Sequence, residues 1–527
     1  MYENINYNEF HMGIVTANQD AIEGAGGEIA GGDTAAIGNV ELQYAKPSKQ
    51  NISTFHHEFA RSRRLTYKEI RQANERASQY RQRLLRRWDG PLIGITLNIP
   101  GAFKRFPLAT LCFKECRRIT EITMRAAGVH LLYQDTKKFE LNGEHAYFLA
   151  KGSPERIKEI LCEIEDTHPL GRIFNLDVYK GGESIGKLTR NDIGKTNRGC
   201  LLCDSQALDC VFGRRHGIEE VINKTLALMW EWIRKYLTEH VITSATRALC
   251  DELATTPKPG LVDRHNCGSH SDMDFFTYID SIAELLPFFQ ECALIGFDCA
   301  VTSIEKRSGS GIYNEADIPE LLPLVKRAGK LANIKMSLAT GGVNTHRGII
   351  CSLGILCAAY GWLIRSKTVF SMDELFDLSG VIARPLMDDF KDMSSDTAET
   401  NGEKLFAMCG MTGVRGEMSC GYRNVREYSL PMLRRMIERG HPMNDSGVAA
   451  FLALLSHVDD TTIVHRSNEA TLREIQRAAA EFLKANPSMS EIKRWAAETD
   501  LQFIEQNISA GGCADLLAIT FFVWYLF

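Results

Sequence analysis

Apolar residues recur along this chain with two different periods. From Thr66 to Trp88 the residues are good helix formers, and Thr66 with Glu69 has the spacing of a capping box, so a helix is predicted to start there. Four runs of strand length follow, Pro91–Ile99 (PLIGITLNI), Val129–Tyr133, His145–Ala150 and Arg172–Tyr179, with helical stretches between them, for example around Pro154–Cys162. After about residue 225 such runs nearly vanish. Leu472, Ile475, Ala479, Phe482 and Leu483 then repeat at helical spacing until Asn486–Pro487 stops them, and Ser488 with Glu491 forms another capping box before Trp495. The pattern predicts a multidomain chain: a flexible extension over 1–55, an α/β (α+β) domain over 56–225 and a large all-α domain over 226–527. Within the extension, Glu23–Gly38 (EGAGGEIAGGDTAAIG) is too rich in Gly and Ala to bury an ordering core.

Two apolar runs need a separate reading. Gly348–Ile364 (GIICSLGILCAAYGWLI) carries no charge and sits at the short limit of a membrane span. Its Gly and Cys interruptions suit close packing, so a buried core helix is expected. Leu516–Phe527 is too short to span and is expected to pack as a terminal helix.

Composition narrows the class. With 527 residues, 44% hydrophobic and 24% charged, the chain is neither mostly disordered, nor collagen-like, nor a polytopic membrane protein. A net charge of −5 excludes a general nucleic-acid binder, so any anion site is built locally; neither nucleic acid nor membrane is an expected partner. The opening MYENINYNEF has no secretory pattern, and fifteen cysteines, an odd number scattered through apolar runs, point to a reduced cytoplasmic protein.

Polar residues then mark places for chemistry. Period 2 sets Asn175 and Asp177 on one face of the strand RIFNLDVY, where they either hold a Mg²⁺ that holds a triphosphate or form a solvated edge. Cys200, Cys203, Cys210 and His216 form C-x2-C-x6-C-x5-H, with ligand types suited to tetrahedral Zn²⁺; partly buried reduced thiols beside a basic turn fit equally well. Residues 61–87 hold ten Lys/Arg against Glu69 and Glu75, which makes a solvated helix face or a surface for nucleic acid or an acidic protein.

In the second half, TPKPGLVDRHNCGSHSDMD (256–274) crowds Lys258, Asp263, Arg264, His265, His270, Asp272 and Asp274 among Pro and Gly turns. GGVNTHRG brings Gly341, Gly342, Asn344, His346 and Arg347 to the start of the apolar helix, where backbone N–H groups suit a phosphate; it lacks the ending of a Walker A loop. Arg415-Gly416-Glu417, the pair Asp459-Asp460, and Asn507–Asp515 (NISAGGCAD) complete a set of polar loops on an apolar helical body, and convergence on one site is expected.

These stretches carry a resemblance. PKPGLVDR, SHSDMDFFT, TGGVNTHRG, GVRGEMSCGY, HVDDT and NISAGGCADLLA, in order over nearly all of 245–522, closely resemble triphosphoribosyl-dephospho-CoA synthase. LNIPG (97–101), HPLGRIFNLDV (168–178), RGCLLC (198–203) and the Cys210–His216 turn resemble apo-citrate lyase phosphoribosyl-dephospho-CoA transferase, the holo-citrate lyase synthase. The resemblance therefore implies a fused bifunctional transferase. Its synthase half joins ATP to the ribose 2′-hydroxyl of 3′-dephospho-CoA and expels adenine. Its other half moves the product onto a serine of the citrate lyase acyl carrier protein (the gamma subunit) and releases pyrophosphate. It further implies Mg²⁺ at Asp459 and Asp460, Glu417 as a base, and Lys258, Arg264, Arg347 and Arg415 as phosphate clamps. In the transferase half it implies Asp177 on the metal, Arg172 on phosphate and His168 as a base. Asn175 departs from that family's D-x-D pattern. Thr462, Ser467-Asn468, Ala510 and Cys513 depart from the synthase pattern without removing a charge. Three alternatives are a synthase serving malonate decarboxylase, a metal-dependent nucleoside-cleaving hydrolase, and a zinc-bearing binding module in the first half.

Overall fold

A capping box opens the first helix, as its sequence requires. Glu69 N–H donates to Thr66 Oγ1 at 3.3 Å, Thr66 N–H donates to the Glu69 carboxylate at 2.8 Å, and α1 (Tyr67–Leu85) follows. The computed structural model describes residues 62–139, 142–181, 186–305, 318, 321–367, 369–390, 398 and 401–527, and the expected extension over 1–55 lies outside them.

The four apolar runs become β1 (Leu92–Leu97), β2 (His130–Phe139), β3 (Gly143–Lys151) and β4 (Phe174–Lys180), joined by a three-residue β5 (Gly186–Leu188). Helices α2 (Pro107–Ala126) and α3 (Pro154–Thr167) intervene. Every strand pair is antiparallel, in the order β2-β3-β1-β4-β5. The mixed first half is thus α+β. Strand alternation divides the sheet: Ile93, Ile95, Phe148, Phe174, Leu176 and Val178 join the core under α2 and α3. Leu92 and Tyr147 face α1, where they pack with Tyr80, Leu84 and Leu85.

A short α4 (Ala207–Phe212) precedes α5 (Ile218–Ala254), 37 residues long. Its buried positions include Leu226, Met229, Ile233, Leu237, Val241, Ala245 and Ala248, a stripe three or four residues apart along about six turns. The expected boundary at 225/226 therefore falls inside a continuous helix. After it come α6 (Phe275–Glu305), α7 (Leu321–Ala339), α8 (Arg347–Ser366), α9 (Met372–Ala383), α10 (Asn401–Cys409) and α11 (Gly413–Ser419). Then come α12 (Leu430–Glu438), α13 (Met443–Leu455), α14 (Thr461–Arg466), α15 (Glu469–Lys484), α16 (Met489–Glu505) and α17 (Gly511–Leu526). No strand follows β5 among the described residues.

The uncharged run forms α8, the one helix among the described residues long and apolar enough to cross a membrane, and most of it is buried in protein. It packs on α6 with almost no gap. A Cβ on Gly296 would lie 1.8 Å from Ala358 O, and one on Gly361 would lie 1.9 Å from Ala293 O, so only glycine lets these backbones meet. Sheet residues such as Ile93 and Phe174 share one continuous cluster of buried side chains with Ile233, Leu353 and Leu517 of the helices.

Candidate active sites

Two cavities concentrate the polar residues. The first is a cleft of about 420 Å³ between α1 and the exposed face of the sheet, lined by Thr96, Asn98, His145, Tyr147, Asn175, Asp177 and Tyr179, with Arg81, Lys104 and Arg105 as its cations. Asp177 is buried at its floor. Its oxygens accept from Lys187 Nζ at 2.8 Å, Tyr179 OH at 3.0 Å and Asn175 Nδ2 at 3.3 Å. Asn175 Nδ2 also donates to Thr96 Oγ1 at 2.8 Å. A second aspartate at 175 would face Asp177 at that distance and demand a cation between them; the asparagine amide supplies a donor instead. With three donors on Asp177, this face fits a metal ion poorly. His145 in the same cleft stays neutral, because burial and Arg81 hold its pKa down at about 4.

The second cavity, about 940 Å³, opens in the helical part between α7, α8, α10, α14 and α17. The sequence motifs meet here: His270 and Asp272 come from one loop, Asn344, His346 and Arg347 from the next, Arg415 from α11 and Asp515 from the start of α17. Gly348 ties two of these loops together, since a Cβ there would stand 1.8 Å from Asp515 Oδ2. Asp515 has no hydrogen-bond partner among the described residues, and burial beside Glu252 and Asp460 pushes its pKa well up. His270 Nε2 meets Ser509 Oγ at 3.0 Å, and its Nδ1 faces Arg466 Nη2 at 3.2 Å. Burial and that guanidinium lower its pKa. Arg415 bonds Glu403 at 3.2 Å and lies 3.7 Å from Asp389. Arg347 and Lys330, exposed on the wall, have no salt bridge among the described residues.

A model of the ATP:dephospho-CoA triphosphoribosyl transferase family (CitG) matches residues 238–527, and one of the apo-citrate lyase phosphoribosyl-dephospho-CoA transferase family (CitX) matches residues 65–232. Protein CitXG of Haemophilus influenzae is 30% identical over 461 residues, which cover 85% of this chain and 94% of its own. This chain belongs to the CitX–CitG fusion family. Protein CitXG of Leuconostoc mesenteroides subsp. cremoris is 27% identical over 481 residues, 88% of this chain and 98% of its own. A 2-(5''-triphosphoribosyl)-3'-dephosphocoenzyme-A synthase of Klebsiella pneumoniae is 32% identical over 298 residues, 55% of this chain and 92% of its own. The first cavity lies in the CitX part and the second in the CitG part, and the two parts meet between 232 and 238, within α5.

Several expected site residues of this CitX–CitG fusion sit elsewhere. His168 ends α3 on the opposite face of the sheet from Asp177: it stacks on Phe174 at 4.8 Å, and its Nδ1 accepts from Leu170 N–H at 3.1 Å. Arg172 is exposed and donates to Gly199 O, outside the cleft. In the CitG part, Lys258 is fully buried against Glu252, so it balances a charge rather than clamping phosphate. Asp263 accepts from His265 N–H at 2.7 Å and braces its own loop. Arg264 reaches Asn444 at 2.7 Å, outside the cavity wall. Asp274 caps α6 through Thr277 N–H at 2.8 Å, and Asn507 accepts from Arg466 at 3.1 Å. Gly341 and Gly342, with φ of 64° and 94°, terminate α7, and Gly342 N–H bonds Ser337 O at 2.7 Å, so they form a helix end. His346 is buried in the wall with Nδ1 2.7 Å from Ser281 Oγ, and burial holds its pKa at about 3.

The pair expected to hold Mg²⁺ is also engaged. Asp460 caps α14, accepting from Thr462 N–H at 2.8 Å and Ile463 N–H at 3.3 Å, while its second oxygen accepts from Cys513 N–H at 2.8 Å. Asp459 pairs with Arg473 at 2.5 Å. Glu417 takes Asn424 N–H and Nδ2 at 2.8 Å each, and burial raises its pKa. All three line a smaller pocket of about 390 Å³ that shares Asp515 and Gly512 with the large cavity. The carboxylates present there do not fit a metal held by the Asp459-Asp460 pair. Sequence reading misses Lys326, Lys330, Glu252 and Arg466 of the large cavity. The spacing of Lys326 and Lys330, four apart on α7, is the one signal that marks them.

Proposed function

We propose that the helical cavity joins ATP to 3′-dephospho-CoA, forming 2′-(5″-triphosphoribosyl)-3′-dephospho-CoA and releasing adenine. The sheet cleft then transfers that product to a serine of the citrate lyase acyl carrier protein and releases pyrophosphate. The observation that carries this reading is the tandem match of both families, with one polar cavity in each part. The malonate-decarboxylase and hydrolase alternatives draw no support from that pairing.

In the helical cavity the 2′-oxygen bonds C1″ as the bond from C1″ to adenine breaks. Asp515, a cavity carboxylate with no hydrogen-bond partner among the described residues, is the group that takes the 2′-hydroxyl proton. Arg347, Lys330 and Arg466 hold the triphosphate. Mg²⁺ supplied with ATP would offset the charge of its phosphates, which these cations orient. In the sheet cleft Arg81, Lys104 and Arg105 face the triphosphate, and Asp177 accepts the proton of the carrier serine as its oxygen attacks the α-phosphorus. The fifteen free thiols support a reducing, cytoplasmic setting.

The test uses the full chain with ATP and Mg²⁺. Adenine is expected only when dephospho-CoA is added, and pyrophosphate only when the carrier protein is added as well. Adenine formed at the same rate without dephospho-CoA would identify a hydrolase.

A further inference from the structure

Between β5 and α5 the chain runs through a segment with almost no core of its own. In α4 Cys210 is the buried residue, while Val211 and Phe212 are 69% and 82% exposed. A six-residue helix is far too short to hold itself against the entropy of ordering it. Some other interaction must fix this loop.

Four side chains converge inside it. The ligand atoms of Cys200, Cys203, Cys210 and His216 all lie within 4.8 Å of one another. Cys203 Sγ is 3.4 Å from Cys210 Sγ and 3.3 Å from His216 Nε2. A tetrahedral zinc site with Zn–S near 2.3 Å and Zn–N near 2.0 Å has edges of roughly 3.5–3.8 Å, so these atoms stand close to the corners such an ion needs. Leu202 N–H points at Cys200 Sγ at 3.4 Å, a donor that favours thiolate over thiol. On the far side of the imidazole, Nδ1 is 3.9 Å from Glu220 Oε2, where a carboxylate orients a metal-bound histidine.

We propose that Cys200, Cys203, Cys210 and His216 bind one structural Zn²⁺, which folds residues 198–216 and steadies the start of β4. The link to β4 is direct: Arg198 Nη1 donates to Phe174 O at 2.7 Å, and Arg172 donates to Gly199 O. β4 carries Asn175 and Asp177, so the metal acts on the transfer site as a positioning element while lying outside it.

The full chain, purified under reducing conditions without chelator, is expected to carry one zinc per chain by plasma mass spectrometry. Cys203→Ser and His216→Ala are expected to lose it, whereas Cys250→Ser, outside the cluster, keeps it. His216→Cys preserves four ligands and is expected to retain zinc, which separates ligand loss from misfolding. Cobalt in place of zinc should give the visible bands of tetrahedral Co²⁺ with thiolate ligands. Stripping the zinc should also open residues 198–216 to limited proteolysis. Absence of stoichiometric zinc in the reduced full chain after zinc is supplied, or a Cys203–Cys210 disulfide in its place, would overturn the proposal.

Discussion

Two aspartates from neighbouring loops show how much the local donors decide. Asp460 is surrounded by three backbone N–H groups, while Asp515 has none among the described residues and lies half-buried near other carboxylates. Asp515→Asn should therefore cut adenine release by roughly 10²-fold or more, the scale of a lost general base, with little change in circular dichroism. Asp460→Ala should instead cost about 2 kcal/mol of stability from its lost cap and stranded donors, leaving the Mg²⁺ dependence of adenine release unchanged. A large shift in the Mg²⁺ requirement would return Asp460 to the metal. His145 gives a pH prediction. Its folded pKa of about 4 lies below the ordinary 6.5, so the unfolded chain binds the extra proton. Stability is full above pH 6.5 and falls as the pH drops toward 4, by about 2 kcal/mol between pH 7 and 5. Denaturant titrations at those two values should show His145→Gln losing that much less than the parent chain; equal losses would mean His145 is not held neutral. At this scale the sequence named residue types better than roles. Motif membership brought His270, Arg347, Arg415 and Asp515 to one cavity. It gave no sign that Lys258 would meet Glu252 or that His168 would turn to the far side of a strand, because both depend on contacts between separate segments.

Elements were more legible than residues. Both exposed capping boxes form, at Thr66 and Ser488, because they need only local geometry. The four apolar runs form strands because period 2 and burial agree along each of them. β5, three residues long, has no periodicity to read, and strand direction depends on connections no single run encodes. A glycine pair is ambiguous for a related reason: the positive φ of Gly341 and Gly342 serves a helix end as well as it would an anion cradle. α1 supports a prediction of its own. Arg71, Arg76, Arg83 and Arg87 are all exposed, and among the described residues only Arg71 of these has a salt bridge, to Glu75 at 3.0 Å. This helix borders the transfer cleft, and an acidic carrier protein would meet it there. Arg76→Glu combined with Arg83→Glu should slow carrier loading at low salt while leaving adenine release untouched, and loading by the parent chain should slow as salt is raised. Unchanged loading would leave α1 a solvated face.

For the whole molecule, the shared core has a measurable result. Because Ile93, Phe174, Ile233 and Leu517 belong to one buried cluster, neither half can melt without uncovering the other. Adenine release and carrier loading should therefore be lost on heating at the same temperature, and Trp232→Ala, which removes a ring beside His168 on the seam, should lower both together. Two separate inactivation temperatures would show halves that unfold alone. The unbroken α5 also imposes an order in time. A ribosome adding roughly 5–20 residues per second needs about 2–7 s to make this 37-residue helix. At the start of that interval the sheet is already synthesised, yet its buried cluster lacks the α5 residues from Leu226 to Leu253 that complete it. The nascent chain thus passes through a stage in which its first half waits, sticky and incomplete, for a helix that belongs equally to the second.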